Sequence, residues 1–209
     1  YAAYLKASKM MWERSVEQTK KEKGETHLDV AIALYGLLSS TMANKDEDTF
    51  DQYKDQTVDL LEKLIDENPE WGEPKAVLSS TYGLVMAYSP MKGMTLGMKS
   101  NSLMDEAMKQ QPESPLVQSL YAGSKLYTPR MFGGDPKKSV VSYSKSIELY
   151  QKDNDTKENW LYLDAMMGLA MAYKNTDQVE KAKSTLTKAI SAEPQYYWAK
   201  SELEKMNKS

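Results

Sequence analysis

Leu163-Asp-Ala-Met-Met-Gly-Leu-Ala-Met-Ala-Tyr-Lys-Asn-Thr-Asp-Gln-Val-Glu-Lys-Ala-Lys-Ser-Thr-Leu-Thr-Lys-Ala-Ile-Ser-Ala-Glu-Pro194 is the stretch that decides how this chain folds. Leu169, Ala170 and Tyr173 share one face of a helix, because residues three and four apart stack on the same side. The polar run Lys174–Gln178 breaks the pattern. Ala182, Leu186 and Ala189 restore it at i, i+4 and i+7. Pro194 then stops the second helix, since proline lacks the backbone donor that another turn needs. Alanine at the crossing lets two antiparallel helices approach closely. The stretch reads as a helical hairpin.

Working outward, the same grammar recurs. Tyr1–Lys21 is an expected helix with Tyr4, Met11, Trp12 and Val16 as its apolar stripe, stopped by Lys20–Gly24. From Thr26, with Thr26 or Asp29 as cap, a second helix carries Val30, Ala33, Leu34, Leu37 and Leu38. Asn44–Asp51 reads as an acidic connector. A third helix, with Val58, Leu61, Leu64 and Ile65 inward, runs to Asn68-Pro69. Glu73–Tyr88 is expected next, then a loop punctuated by Pro90, Gly93 and Gly97, and a helix from Lys99 to Gln110. Ser114–Tyr127 and Lys137–Tyr150 follow on either side of the loop Thr128–Pro136, and Gln195–Lys208 closes the chain. Gly36, Gly83 and Gly123 are expected where helices of a hairpin touch.

Tyr88-Ser89-Pro90 returns as Tyr127-Thr128-Pro129, and the same displacement carries Ser100 onto Ser139, Met104 onto Tyr143 and Ala107 onto Ser146. One displacement satisfying both a loop entry and the helix after it marks stacked helical hairpins. In Leu163–Pro194 the residues Leu169, Ala170, Tyr173, Ala182, Leu186, Ala189 and Pro194 resemble the signature of the tetratricopeptide repeat (TPR), with Met166 in place of its usual tryptophan and Ala170 in place of its glycine. The resemblance implies an all-α fold over 1–209. It would be a right-handed α-solenoid of about four TPR-like hairpins plus an N-terminal helix and a C-terminal capping helix.

Composition sets the outer bounds. Hydrophobic residues at 41% and charged residues at 27% are ordinary for a folded chain. With 27 basic and 30 acidic residues the formal charge is −3, which speaks against nucleic acid as the main partner. No apolar run reaches the roughly 20 residues that span a bilayer. Cysteine is absent, so disulfides and thiolate chemistry are excluded together. The chain begins at Tyr1, from which a removed N-terminal segment such as a signal peptide is expected. With loop signatures that resemble those of secreted bacterial TPR-like proteins, the expected location is periplasmic or otherwise exported, and the expected state a monomer.

Catalytic signals are poor. His27, the only histidine, stands beside a helix start, where a surface or capping role is the simpler reading. Ser142-Tyr143-Ser144-Lys145 is a bare S-x-x-K without companion motifs. Asn44, Asp46 and Asp48 imitate the opening of a calcium loop, but Thr49 replaces the required glycine and Asp55 the bidentate glutamate. Gly93-x-x-x-Gly97 follows no strand and lacks the Lys-Ser/Thr of a phosphate loop. No cofactor, no metal and no enzymatic activity are expected.

Partner binding is the remaining reading. The loop Tyr127–Pro136 holds Arg130, Met131 and Phe132 between a proline and a Gly-Gly pair, with Asp135 and Pro136 set to start a helix. Exposed phenylalanine is costly, so one expectation is that Phe132 tucks onto a neighbouring hairpin. The other makes this loop and Ser89–Gly97, with Tyr88, two lips of one binding edge. In TPR proteins the first helix of each hairpin lines a concave groove. The resemblance implies that Ala33, Leu37, Ser80, Leu84, Leu120, Ser124, Tyr127, Met167, Met171 and Lys174 line it here. Such a surface suits an apolar or extended protein or peptide segment, and alternatively a small hydrophobic ligand; the protein's own N-terminal helix is a third occupant.

Overall fold

A computed structural model describes residues 2–21 and 27–208, with side chains from residue 9. Among the described residues the chain is all α-helical, with ten α-helices and two single turns of 3-10 helix, and within each unit helices that follow one another in sequence pack together. The chain divides into two compact units, 1–111 and 112–209.

The first unit holds α1 (Ala2–Thr19), α2 (His27–Thr41), α3 (Glu47–Glu67), α4 (Gly72–Tyr88) and α5 (Gly93–Gln110). α2 pairs with α3 and α4 with α5, while α2 also touches α4, so the first helices of successive hairpins lie side by side. α1 packs on α2, where Val16 joins Ala33, Leu34 and Leu37 in one cluster, with Trp12 and Tyr53 against it. Ala33 and Leu37, expected in an open groove, are therefore closed off in the core. The proposed cap Thr26 lies outside the described residues.

Two boundaries differ from the sequence reading. Asp46 caps α3, accepting from the Thr49 backbone N–H at 3.1 Å and from its hydroxyl at 2.7 Å, so the helix starts at Glu47 inside the expected connector. The acids Glu47 and Asp48 suit the positive end of a helix. α5 begins at Gly93 rather than Lys99, because the 3-10 turn Pro90–Lys92 leads directly into it. Gly93 and Gly97 lower helix propensity without ending the helix.

The second unit holds α6 (Pro115–Tyr127), α7 (Pro136–Lys152), α8 (Trp160–Lys174), α9 (Val179–Ala192) and α10 (Tyr197–Lys208). Ser114, Asp135 and Asn159 cap α6, α7 and α8 with their side chains. The deciding stretch forms the α8–α9 hairpin. Met166, Met167, Ala170, Ala182, Leu186 and Ala189 form one core with Tyr150 and Tyr162, and α10 seals it with Ala199 and Met206. Tyr197 and Trp198 turn outward instead.

Glycine marks the helix contacts, though not always those expected. A Cβ on Gly36 would lie 2.3 Å from the Trp12 ring, so this notch receives α1 and not the hairpin partner α3. A Cβ on Gly168 would lie 2.2 Å from the Tyr143 ring, and a Cβ on Gly123 would lie 3.2 Å from the Tyr143 hydroxyl oxygen. Gly83, expected at a close contact, is exposed with nothing within 4 Å. Small polar groups pin the hairpins. Ser79 Oγ donates to the Ser100 carbonyl at 2.8 Å and Ser100 Oγ to the Ser79 carbonyl at 3.0 Å. Across α6 and α7, Ser146 Oγ donates to the Pro115 carbonyl at 2.7 Å.

Candidate functional site

The segment between α6 and α7 is short, ordered and apolar at its tip. Proline 129 starts a 3-10 turn over Arg130–Phe132, closed by Phe132 N–H donating to the Pro129 carbonyl at 2.8 Å. Gly133 follows with φ 99°, a left-handed conformation that favours glycine. Gly134 packs so tightly that a Cβ would lie 1.8 Å from the Thr128 carbonyl oxygen. Asp135 N–H donates to the Lys125 carbonyl at 2.8 Å, and its carboxylate accepts from the Lys137 and Lys138 backbone N–H groups. Every residue from 129 to 135 is thus tied to a turn, a cap or a close packing contact. On this frame Met131 is 82% exposed and Phe132 63%. Phe132 does not tuck onto a neighbouring hairpin.

Tyr127, at the last turn of α6, is 68% exposed, and Arg130 is exposed beside it in sequence. Asp164 on α8 is exposed, yet partial desolvation by the protein around it raises its carboxyl, to about 6. Ser124 is half-buried and spends its hydroxyl on the Tyr121 carbonyl at 2.8 Å. Lys174 is exposed, with an ion pair to Glu202 at 3.8 Å.

Other expected groove residues are placed differently. Met167 lies in the core at 1% exposure and offers nothing to a ligand, because its face of α8 packs against α9 and α10. Met171 is half-buried against two core clusters. In the first unit Leu84 packs beside Leu38, Phe50 and Val85. Tyr88 is a structural residue of that unit: its ring meets Phe50 at 4.3 Å and its hydroxyl donates to Thr41 Oγ1 at 2.8 Å. The expected lip Ser89–Gly97 is mostly the start of α5. This lip and the residue after it expose Met91, Met94 and Met98, at 88, 89 and 80%. Their i, i+3, i+7 spacing places them on one stripe, opposite Ser100 and Met104, and treating Pro90–Gly97 as a loop concealed that face.

The remaining chemistry is structural. Ser142 of the S-x-x-K is buried, and Lys145 pairs with Glu113 at 2.6 Å. Among the described residues no group of three or more His, Cys, Asp or Glu is placed to hold a metal ion. No described helix is long and apolar enough to cross a membrane. A cleft of ≈160 Å³ in the first unit is lined by Lys54, Asp55, Val58, Tyr82, Val85, Lys92 and Leu96. It is smaller than pockets for drug-sized ligands and charged at its walls, so it does not suit an enclosed hydrophobic molecule.

The tetratricopeptide repeat family model matches residues 163–196, the α8–α9 hairpin with the residues just beyond it. Among solved structures, the chain is similar to a thermophilic TPR protein from Thermus thermophilus, at 13% identity with a TM-score of 0.59 over 100% of this chain and 93% of that one. No curated protein matches the sequence significantly. The chain carries a tetratricopeptide repeat at 163–196 within a TPR-like helical-repeat fold.

Proposed function

We propose that this protein is a non-enzymatic scaffold that holds a protein or peptide segment along the edge between α6 and α7. TPR domains generally serve protein interaction, which supports the class. The observation that carries the location is the pairing of exposed Met131 and Phe132 with a backbone fixed on both sides. A loop without internal hydrogen bonds would lose more conformational entropy on binding than this one, whose backbone is hydrogen-bonded on both sides of the tip. Full burial of a large apolar side chain is worth roughly 1.5–3 kcal/mol. Scaled by their exposure, Met131 and Phe132 together offer roughly 3 kcal/mol to a partner that covers them.

Native mass spectrometry of protein purified gently from its own source tests the reading. A stoichiometric protein partner is expected on the wild type, and the Met131→Ala/Phe132→Ala variant should lose it. A partner retained by that variant places the binding surface elsewhere. A discrete small-molecule adduct in place of a protein contradicts the scaffold role.

A further inference from the structure

The charge around the apolar tip is one-sided. From Lys125 to Lys138 the sequence has four basic residues, Lys125, Arg130, Lys137 and Lys138, against one acid, Asp135, in a chain whose net charge is −3. The single acid is already engaged as the cap of α7. Arg130, Lys137 and Lys138 are all exposed, and among the described residues none of them forms an ion pair. Elsewhere in this unit half-buried Lys145 pairs with Glu113 and exposed Lys205 with Glu202, whereas Lys152, Lys157 and Lys188 are exposed singly, without an ion pair among the described residues. Lys125 differs again, with its ammonium 5.1 Å from the centre of the Tyr121 ring. Three exposed cations without an ion pair among the described residues and two exposed apolar side chains therefore lie within the one short segment 130–138.

We infer that the edge takes a protein segment in which a large apolar residue is flanked by Asp or Glu, the apolar residue seating on Met131 and Phe132 and the acids meeting Arg130, Lys137 and Lys138. The inference rests on the scaffold reading above and gives its partner a chemistry. Opposite charge at a rim speeds encounter and excludes basic competitors, while the apolar anchor supplies affinity. An anionic lipid surface shares the charge but fits less well. One myristoyl chain gives only marginal membrane binding, and Met131 with Phe132 offer fewer apolar atoms than that.

A random dodecapeptide display library, panned on the whole chain and depleted on Phe132→Ala, reads this chemistry directly. Peptides that depend on Phe132 are expected to carry an aromatic or long aliphatic residue beside an excess of Asp and Glu. An Arg130→Ala/Lys137→Ala/Lys138→Ala variant should bind a synthetic copy roughly tenfold more weakly, and added salt should weaken the wild type similarly. Phe132-dependent peptides without acidic bias overturn the charge inference and leave the edge standing. Absence of any Phe132-dependent peptide defeats both. Binding to vesicles of phosphatidylcholine and phosphatidylglycerol that requires Phe132 and the three cations overturns the inference in favour of lipid.

Discussion

Gly168→Ala should destabilise the second unit although alanine is the better helix former. Replacing a helical glycine gains about 1 kcal/mol from propensity alone. The added Cβ, however, would stand 2.2 Å from Tyr143 Cζ and 2.5 Å from its hydroxyl oxygen. The ring would have to retreat by about 1 Å to restore ordinary contact, and overpacking of this kind costs about 1–3 kcal/mol. Tyr143 has little room to yield: it is 4% exposed in a cluster with Ala122, Leu126, Ala165, Leu169 and Ala172. A net loss of about 1 kcal/mol follows from those two magnitudes. Gly83→Ala is the control, since its Cβ meets nothing within 4 Å and only the propensity gain applies. Urea denaturation followed by far-ultraviolet circular dichroism separates the two variants. In a Tyr143→Ala background the penalty at 168 should vanish, which a double-mutant cycle reports as coupling. If Gly168→Ala is as stable as Gly83→Ala in the wild-type background, the notch does not hold the ring.

Other consequences are as specific. Met131→Ala/Phe132→Ala should leave the urea midpoint nearly unchanged, within about 0.5 kcal/mol, while weakening partner capture on the order of a hundredfold. Asp46→Ala should cost about 1 kcal/mol through loss of the α3 cap. The Thr49 hydroxyl holds the Asp46 carboxyl below the usual range, so the wild type loses this contribution as pH falls through that lowered value. Asp164 has the opposite sign. Its folded value near 6 exceeds the ordinary 3.8, so its contribution is present below that ordinary value and lost as pH rises through 6. Asp164→Asn should therefore stabilise the fold at neutral pH, by no more than about 1 kcal/mol because water screens an exposed carboxylate; stability curves at pH 5 and pH 8 check the difference.

The hairpin grammar was legible where apolar spacing and a terminal proline agreed, as in Ala182, Leu186, Ala189 and Pro194. It misled where a glycine was read without its neighbour. Gly36 is a notch for the Trp12 ring of the preceding helix and not a contact with its hairpin partner, and Gly168, which the pattern did not single out, receives Tyr143 in the same way. Gly93 and Gly97 read as loop residues but lie in α5, because proline at the entry and packing of Ser100 and Met104 outweigh their low propensity. The apolar tip was legible in part: the Gly-Gly-Asp-Pro turn announced a fixed loop, but exposure of Phe132 depends on tertiary packing. Met167 failed for a related reason, since the face of α8 that a resemblance calls open is covered here by its own unit.

The most direct test is site-specific photocrosslinking from position 132 in the organism's own cells, with Lys63 as an exposed control on α3. The account predicts a discrete protein adduct from position 132, absent from the control and suppressed by Met131→Ala. No adduct at 132, or the same adducts from both positions, would contradict the claim that the α6–α7 edge is where this protein meets its partner.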